Sequence, residues 1–116
     1  MITIYGIHNC DTMQKAIKWL DANKVPYTFH NYKTAGITES SLRLWLQHFP
    51  ASKLINTKST TYKALSDEQK ASIDNADKAI EIMLQNQSVI KRPFWDLGNG
   101  TFYLGWHEAE LSKLIL

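Results

Sequence analysis

The chain holds one cysteine, Cys10, in the stretch Gly6-Ile7-His8-Asn9-Cys10-Asp11-Thr12-Met13. Nucleophilic and redox work by cysteine belongs to the thiolate, and an ordinary thiol with a pKa near 8.5 is only a few per cent ionised at pH 7. A reactive Cys10 therefore needs a local source of positive potential. The pattern around it offers one. A short β-branched run, Ile2, Ile4 and Ile7, gives way after Asp11 to Met13, Ala16, Ile17 and Leu20 at i, i+3, i+4 and i+7, the spacing of an amphipathic helix. Cys10 then stands at a helix N-terminus, where unpaired amides and the positive end of the dipole favour an anion. A protonated His8 adds to this. Asp11 opposes it if its carboxylate turns towards the sulfur, and does not if it faces solvent. Thr12 either donates its hydroxyl to the sulfur or caps the helix. The other reading of Cys10 is a small hydrophobe packed in a core, and these residues alone leave both open.

The elements around the cysteine follow from periodicity. The first strand leads into the helix, which ends near Asn23 ahead of Pro26, and Val25 to Tyr32 (VPYTFHNY) alternates apolar and polar residues as a second strand. Strand, helix and strand in so short a span make a βαβ unit with parallel strands. The middle of the chain is helical in pattern. ESSLRLWLQHF, opened by Thr38 and ended by Pro50, carries Leu42, Trp45, Leu46 and Phe49 on one stripe. SDEQKASI and NADKAIEIMLQN follow, the latter pair placing Ile73, Ala76, Ile80 and Met83 at helical spacing. Asn56 to Lys63 (NTKSTTYK) is almost wholly polar and predicts an exposed loop. SVIKRPFWDL and TFYLGW read as strands joined by the Gly98-Asn99-Gly100 turn, and HEAELSKLIL presents Ala109, Leu111, Leu114 and Ile115 as a final helical face. The order βαβ, helices, ββα is compatible with a thioredoxin-like plan among several α/β arrangements.

Composition narrows the function. Thirteen Lys plus Arg against eleven Asp plus Glu leave a net charge of +2, too small a surplus to imply binding to a phosphate backbone. Arg43 and Arg92 are the only arginines, so one beside a reactive thiol would stand out. A lone cysteine forms no internal disulfide and requires no oxidising compartment. The N-terminus lacks the basic and long apolar segments of a signal peptide, and no apolar run approaches a membrane span. The expectation is a soluble cytoplasmic protein with no nucleic-acid and no membrane partner. His8, His30, His48 and His107 are scattered, and His8 with Cys10 is too small a set for zinc. No phosphate-binding glycine loop or dinucleotide fingerprint is present, and Trp19, Trp45, Trp95 and Trp106 read as core or rim packing.

The stretches YGIHNCDTMQKAIKWL, FHNYKTAGI, NTKSTTYKAL and IKRPFWDLGNGTFYLG resemble the ArsC-like proteins. That family includes glutaredoxin-dependent arsenate reductases, the Spx regulators and the small YffB proteins described as glutathione-dependent thiol reductases. The match runs across nearly the whole chain and is nearest the YffB branch in spacing and length. It implies an α/β thioredoxin-like fold with a mixed four-stranded sheet, one domain over residues 1–116 with a helical insertion at about 33–88, and a cis peptide bond before Pro93.

The resemblance also implies site residues. Cys10 would be the nucleophile, and Arg92, just before Pro93, would face it with a planar fork of donors suited to carboxylate or tetrahedral oxyanions. His8, Asn9, Asp11, Thr12, Lys58 and Pro93 complete the candidate anion-binding set. Met13 stands where thioredoxins carry a second cysteine, so no resolving thiol exists. The expected chemistry is a monothiol reaction in which Cys10 attacks a disulfide or an oxyanion centre and an external thiol such as glutathione releases the adduct. Glutathione is thus expected as co-substrate, with glutaredoxin as a further partner and no bound cofactor or metal. The family's arsenate reductases use additional arginines in the segments matching NTKSTTYK and LGWHEAE. Here the first offers Lys58 or Lys63 and the second has Trp106 and His107, and lysine cannot grip two oxygens at once. Arsenate reduction is one alternative function. A second is an Spx-like binding protein docking on RNA polymerase, though not of the disulfide-switched kind, which needs two cysteines.

Overall fold

A computed structural model describes all 116 residues. The residues cluster into two compact units, Met1–Tyr32 with Arg92–Leu116, and Lys33–Lys91.

The first unit is built on a four-stranded sheet. Strand β1 (Ile2–Gly6) pairs in parallel with β2 (Tyr27–Asn31), in a register running from Ile2 opposite Tyr27 to Gly6 opposite Asn31. On its other side β1 meets β3 (Phe94–Asp96) antiparallel, and β3 meets β4 (Phe102–Leu104) antiparallel, giving the order β2-β1-β3-β4. This mixed α/β sheet is the thioredoxin-like arrangement. Because side chains alternate across a strand, the register aligns Phe29, Ile4, Trp95 and Tyr103 in one row. That row joins Met13, Ala16 and Leu20 of helix α1 (Asp11–Ala22) and Leu111 from the C-terminal helix (Glu108–Ile115) in a single core cluster. The indole Nε1–H of fully buried Trp95 donates to the Gly105 carbonyl at 2.8 Å, so the largest core side chain leaves no orphan donor.

Helix α1 ends in a Schellman-type turn. The Val25 N–H reaches the Leu20 carbonyl at 3.0 Å and the Lys24 N–H that of Asp21 at 3.1 Å. Lys24 occupies the left-handed position with φ 55°, normally a glycine's place. With Pro26 next, β2 begins at Tyr27 rather than at Val25 as the alternation predicted, and Tyr32 already belongs to the short helix α2 (Tyr32–Ala35).

In the second unit, α3 (Glu39–His48) and α7 (Ala76–Gln85) pack together and bury Leu42, Trp45, Ala79, Ile80, Ile82 and Met83. Between them lie α4 (Ala51–Leu54), α5 (Thr60–Lys63) and α6 (Asp67–Ala71). Two expectations change here. Pro50 ends α3 but is also the N-cap of α4, and its fixed φ of −65° suits it to opening a helix. The predicted loop Asn56–Lys63 is a loop only to Ser59, whose Oγ accepts the Tyr62 N–H at 3.1 Å and so caps one helical turn.

The predicted strand from Ser88 also shortens. Gln87–Val89 is a 3-10 turn, and Ile90 makes a single bridge with Ile55. Pro93 has no N–H to give a ladder, and pairing in the sheet starts at Phe94. The Arg92–Pro93 bond is cis, as the resemblance implied. Gly98 and Gly100 both take positive φ, 83° and 80°, and close the β3–β4 hairpin where the turn signal placed it. The C-terminal helix, α8 (Glu108–Ile115), buries Leu111, while Ala109 and Leu114 face outward against expectation.

Candidate active site

Cys10 is the N-cap of α1. Its backbone is extended, with φ −142° and ψ 124°, and its carbonyl accepts the first intrahelical bond from the Gln14 N–H at 3.0 Å. Its own N–H donates back to the His8 carbonyl at 3.1 Å, which turns the chain sharply between strand and helix. The amides of Asp11, Thr12 and Met13 thus form the first turn, whose N–H groups have no carbonyl four residues earlier in the helix to bond. Serine, threonine, aspartate or asparagine usually stands at such a cap because their oxygens accept from these amides. The Cys10 thiol makes no such side-chain cap bond. A thiolate there has more to gain from the amides than a neutral thiol does.

The sulfur is half-buried against the core cluster of the first unit. Burial is the largest single influence on its acidity and pushes the thiol up. Against it act the Met13 amide, a hydrogen bond from the Arg92 side chain with the positive charge of that guanidinium, and the Thr12 amide. Together they outweigh burial, and Cys10 is held below the ordinary thiol range. No carboxylate is among these influences, and Asp11, whose direction the sequence left open, is exposed at the first helical position.

Arg92 comes to the sulfur from two residues before β3, just ahead of the cis-bonded Pro93. It also acts electrostatically on Tyr32, a buried phenol whose pKa burial drives upward and the Arg92 charge pulls back. Pro93 is buried, and its carbonyl takes the Gly105 N–H at 2.9 Å, which ties the start of β3 to the end of β4.

The structure therefore brings Cys10, Thr12 and Arg92 together. His8 and Asn9 are exposed in the turn before the helix. Lys58 lies in the second unit, exposed, with its backbone N–H held by Asn56 Oδ1 at 3.1 Å. The sequence reading missed Met13 as a contributor. Its side chain is fully buried and belongs to the core stripe, but its backbone N–H is the strongest acidifying influence on the sulfur. The position three residues after an N-cap was the available signal, since that amide is the usual partner of a capping side chain.

A model of the ArsC family matches residues 5–114. The chain belongs to the ArsC family. Among solved structures of similar proteins, one called YFFB protein is 40% identical, superposes with a TM-score of 0.94 and covers 100% of both chains. An arsenate reductase (ArsC) related protein from Brucella melitensis is 38% identical, with a TM-score of 0.76 over 97% of this chain and 92% of its own. The global transcriptional regulator Spx of Streptococcus pneumoniae is 31% identical over 118 residues, covering 99% of this chain and 86% of its own. This ArsC-family chain has no helix long and apolar enough to cross a membrane.

Proposed function

We propose that this ArsC-family protein is a monothiol reductase with Cys10 as nucleophile, Arg92 as anion holder and glutathione as co-substrate. The observation that carries the reading is the acidified thiol: a half-buried sulfur at a helix N-cap, beside first-turn amides and a guanidinium whose influence holds it below its ordinary pKa. A buried structural cysteine has no need of that arrangement, and in apolar surroundings its pKa rises.

In the proposed reaction the Cys10 thiolate attacks one sulfur of a substrate disulfide. A Cys10–substrate disulfide forms, and the second substrate sulfur leaves as a thiolate, which takes up a proton from water. A glutathione thiolate then attacks the mixed disulfide, expels Cys10 as a thiolate and carries away the substrate fragment as its glutathione disulfide. A second glutathione cleaves that product, so the substrate disulfide gains two electrons and two glutathiones are oxidised to their disulfide. The absence of any second thiol in the chain makes an external one necessary. Arg92 supplies a bidentate grip for a carboxylate of the incoming thiol, and the sulfur itself is only half-buried. Glutaredoxin is a candidate to remove the glutathione adduct in its place.

An oxyanion substrate such as arsenate is the first alternative, suggested by relatives named for arsenate reduction. Lysine where one of the expected arginines should stand, and Trp106 and His107 at the other, weigh against it. The second alternative is regulatory docking on RNA polymerase, which the match to Spx over 99% of the chain favours.

The test is turnover of a small symmetric disulfide by the purified protein with glutathione, followed through glutathione disulfide formation. Turnover by the wild type that falls to background in Cys10→Ser supports the reading. Turnover that survives Cys10→Ser overturns it. No turnover, together with recovery of polymerase subunits by both wild type and Cys10→Ser, transfers the assignment to the docking function.

A further inference from the structure

Gly6, the last residue of β1, is buried, and its backbone does not require a glycine: its φ is not among the positive ones. What excludes a side chain is Met13. A Cβ on Gly6 would stand 2.4 Å from Met13 Sδ, 2.7 Å from Cε and 3.1 Å from Cγ. The Sδ and Cε distances lie far inside van der Waals contact, and the Cγ distance is tight. The methionine chain is flexible by nature, but here it is fully buried in the cluster with Ile4, Ala16, Leu20, Trp95 and Leu111, and a close-packed interior leaves little room for another rotamer. Met13 thus lies directly over the Gly6 backbone. The same residue supplies, from its backbone, the third amide of the α1 first turn, beside the Cys10 sulfur.

We propose that Gly6 and Met13 are a positioning pair: the bare backbone of Gly6 seats the Met13 side chain, and that seating keeps the first-turn amide of residue 13 in place beside the Cys10 sulfur. The inference rests on the reading of Cys10 as a working thiolate and adds the reason why its electrostatics are fixed. A helix terminus frays readily, because its first turn has few backbone bonds of its own. Here the first turn is pinned from the side by a core side chain locked against the end of β1. The charged group acting on the sulfur is Arg92, two residues before β3; His8 and Asp11, on either side of Cys10 in the chain, are exposed. Gly6→Ala moves none of these charges. Neither Gly6 nor the Met13 side chain need touch substrate, so both act through Cys10.

The experiment is the pH profile of Cys10 alkylation by iodoacetamide in wild type, Gly6→Ala, Met13→Ala and the Gly6→Ala/Met13→Ala double variant, with urea unfolding of each. In Gly6→Ala the added methyl displaces Met13 and loosens the amide. The profile then moves to higher pH by half a unit to one unit, a roughly three- to tenfold loss of alkylation rate at pH 7. Met13→Ala removes the clamp from the other side and moves the profile in the same direction. The double variant, in which the new methyl meets no methionine, is shifted no further than Met13→Ala alone, and this non-additivity is the signature of a contact pair.

A lowered wild-type profile with Gly6→Ala and Met13→Ala unmoved, or with their shifts merely adding in the double variant, overturns the inference and leaves the monothiol reading standing. If Gly6→Ala does not fold, Met13→Ala decides alone: a profile moved to higher pH upholds the pair, and an unmoved one refutes it. A wild-type profile at or above the ordinary thiol value overturns both readings together. Loss of urea stability with no change of profile shows packing without positioning, and refutes the pair.

Discussion

Arg92→Ala tests the electrostatics of the site most directly. In the wild type the guanidinium donates a hydrogen bond to the Cys10 sulfur and places a full positive charge beside it. Two unit charges about 4 Å apart interact by about 1 kcal/mol in water and about 4 kcal/mol at an effective dielectric of 20. The sulfur is only half-buried, so solvent screening sets the pair near the lower end, and about 1–2 kcal/mol is the appropriate range. At 1.36 kcal/mol per pKa unit, Arg92→Ala raises the thiol by about one unit. Below the pKa the thiolate fraction falls in proportion, so alkylation at pH 7 slows by about tenfold. Arg92→Lys keeps the charge but loses the planar fork, and falls between the two. The assay is the pseudo-first-order rate of iodoacetamide alkylation from pH 5 to 10, with Cys10→Ser giving the background. Raising the salt concentration should shift the wild-type profile upward and leave Arg92→Ala nearly still, because only the former has an ion pair to screen. An Arg92→Ala profile that coincides with the wild type would refute the assignment of Arg92 to the sulfur.

The lowered thiol carries a stability consequence whose sign is fixed: a folded pKa below the unfolded value of about 8.5 adds stability that is complete above that value and vanishes as pH falls through the folded pKa. Wild type should therefore gain urea stability over Cys10→Ser between neutral and alkaline pH under reducing conditions, and a constant difference from pH 6 to 9.5 would contradict the lowered pKa. Lys24→Gly should stabilise by about 0.5–1 kcal/mol, since the left-handed conformation costs an L-residue about 1–2 kcal/mol and the greater freedom of unfolded glycine returns part of the gain. A higher urea midpoint with unchanged slope is the expected readout, and a lower midpoint would mean that Lys24 makes compensating contacts. Trp95→Phe keeps an aromatic ring in the core but strands the Gly105 carbonyl that the indole N–H serves at 2.8 Å, and should cost about 1–3 kcal/mol. An unchanged midpoint would show that the carbonyl finds another donor.

Local chemistry made much of this molecule legible in its sequence. The switch of period at Asp11 put Cys10 at the start of a helix, and the helix runs from Asp11 to Ala22 as the stripe of Met13, Ala16 and Leu20 required. Gly98 and Gly100 are the residues that tolerate the positive φ of their turn, so the β3–β4 hairpin was readable from residue types alone. Such features depend on neighbours three or four positions away. The errors fell where that locality ended. Ser88 to Lys91 has strand-like composition, but only Phe94–Asp96 finds a full ladder, because a strand exists only where a partner offers matching groups. Ala109 and Leu114 have helical spacing, yet one core has room only for the face that carries Leu111 and Ile115.

The site divides in the same way. The helix N-terminus behind Cys10 is a consequence of sequence, because first-turn amides follow from the position of the cap. The approach of Arg92, distant in the chain, depends on β3 pairing antiparallel with β1, a pairing no local pattern encodes. Likewise, nothing in the order of residues says that Gly6 must be bare; that follows from Met13 being folded over it at 2.4 Å from where a Cβ would be. The sequence by itself determined which residue carries the thiol and which end of a helix receives it. Only the tertiary structure decided how acidic that thiol is, because burial, a guanidinium and a seated amide are through-space influences whose balance exists once the sheet has closed.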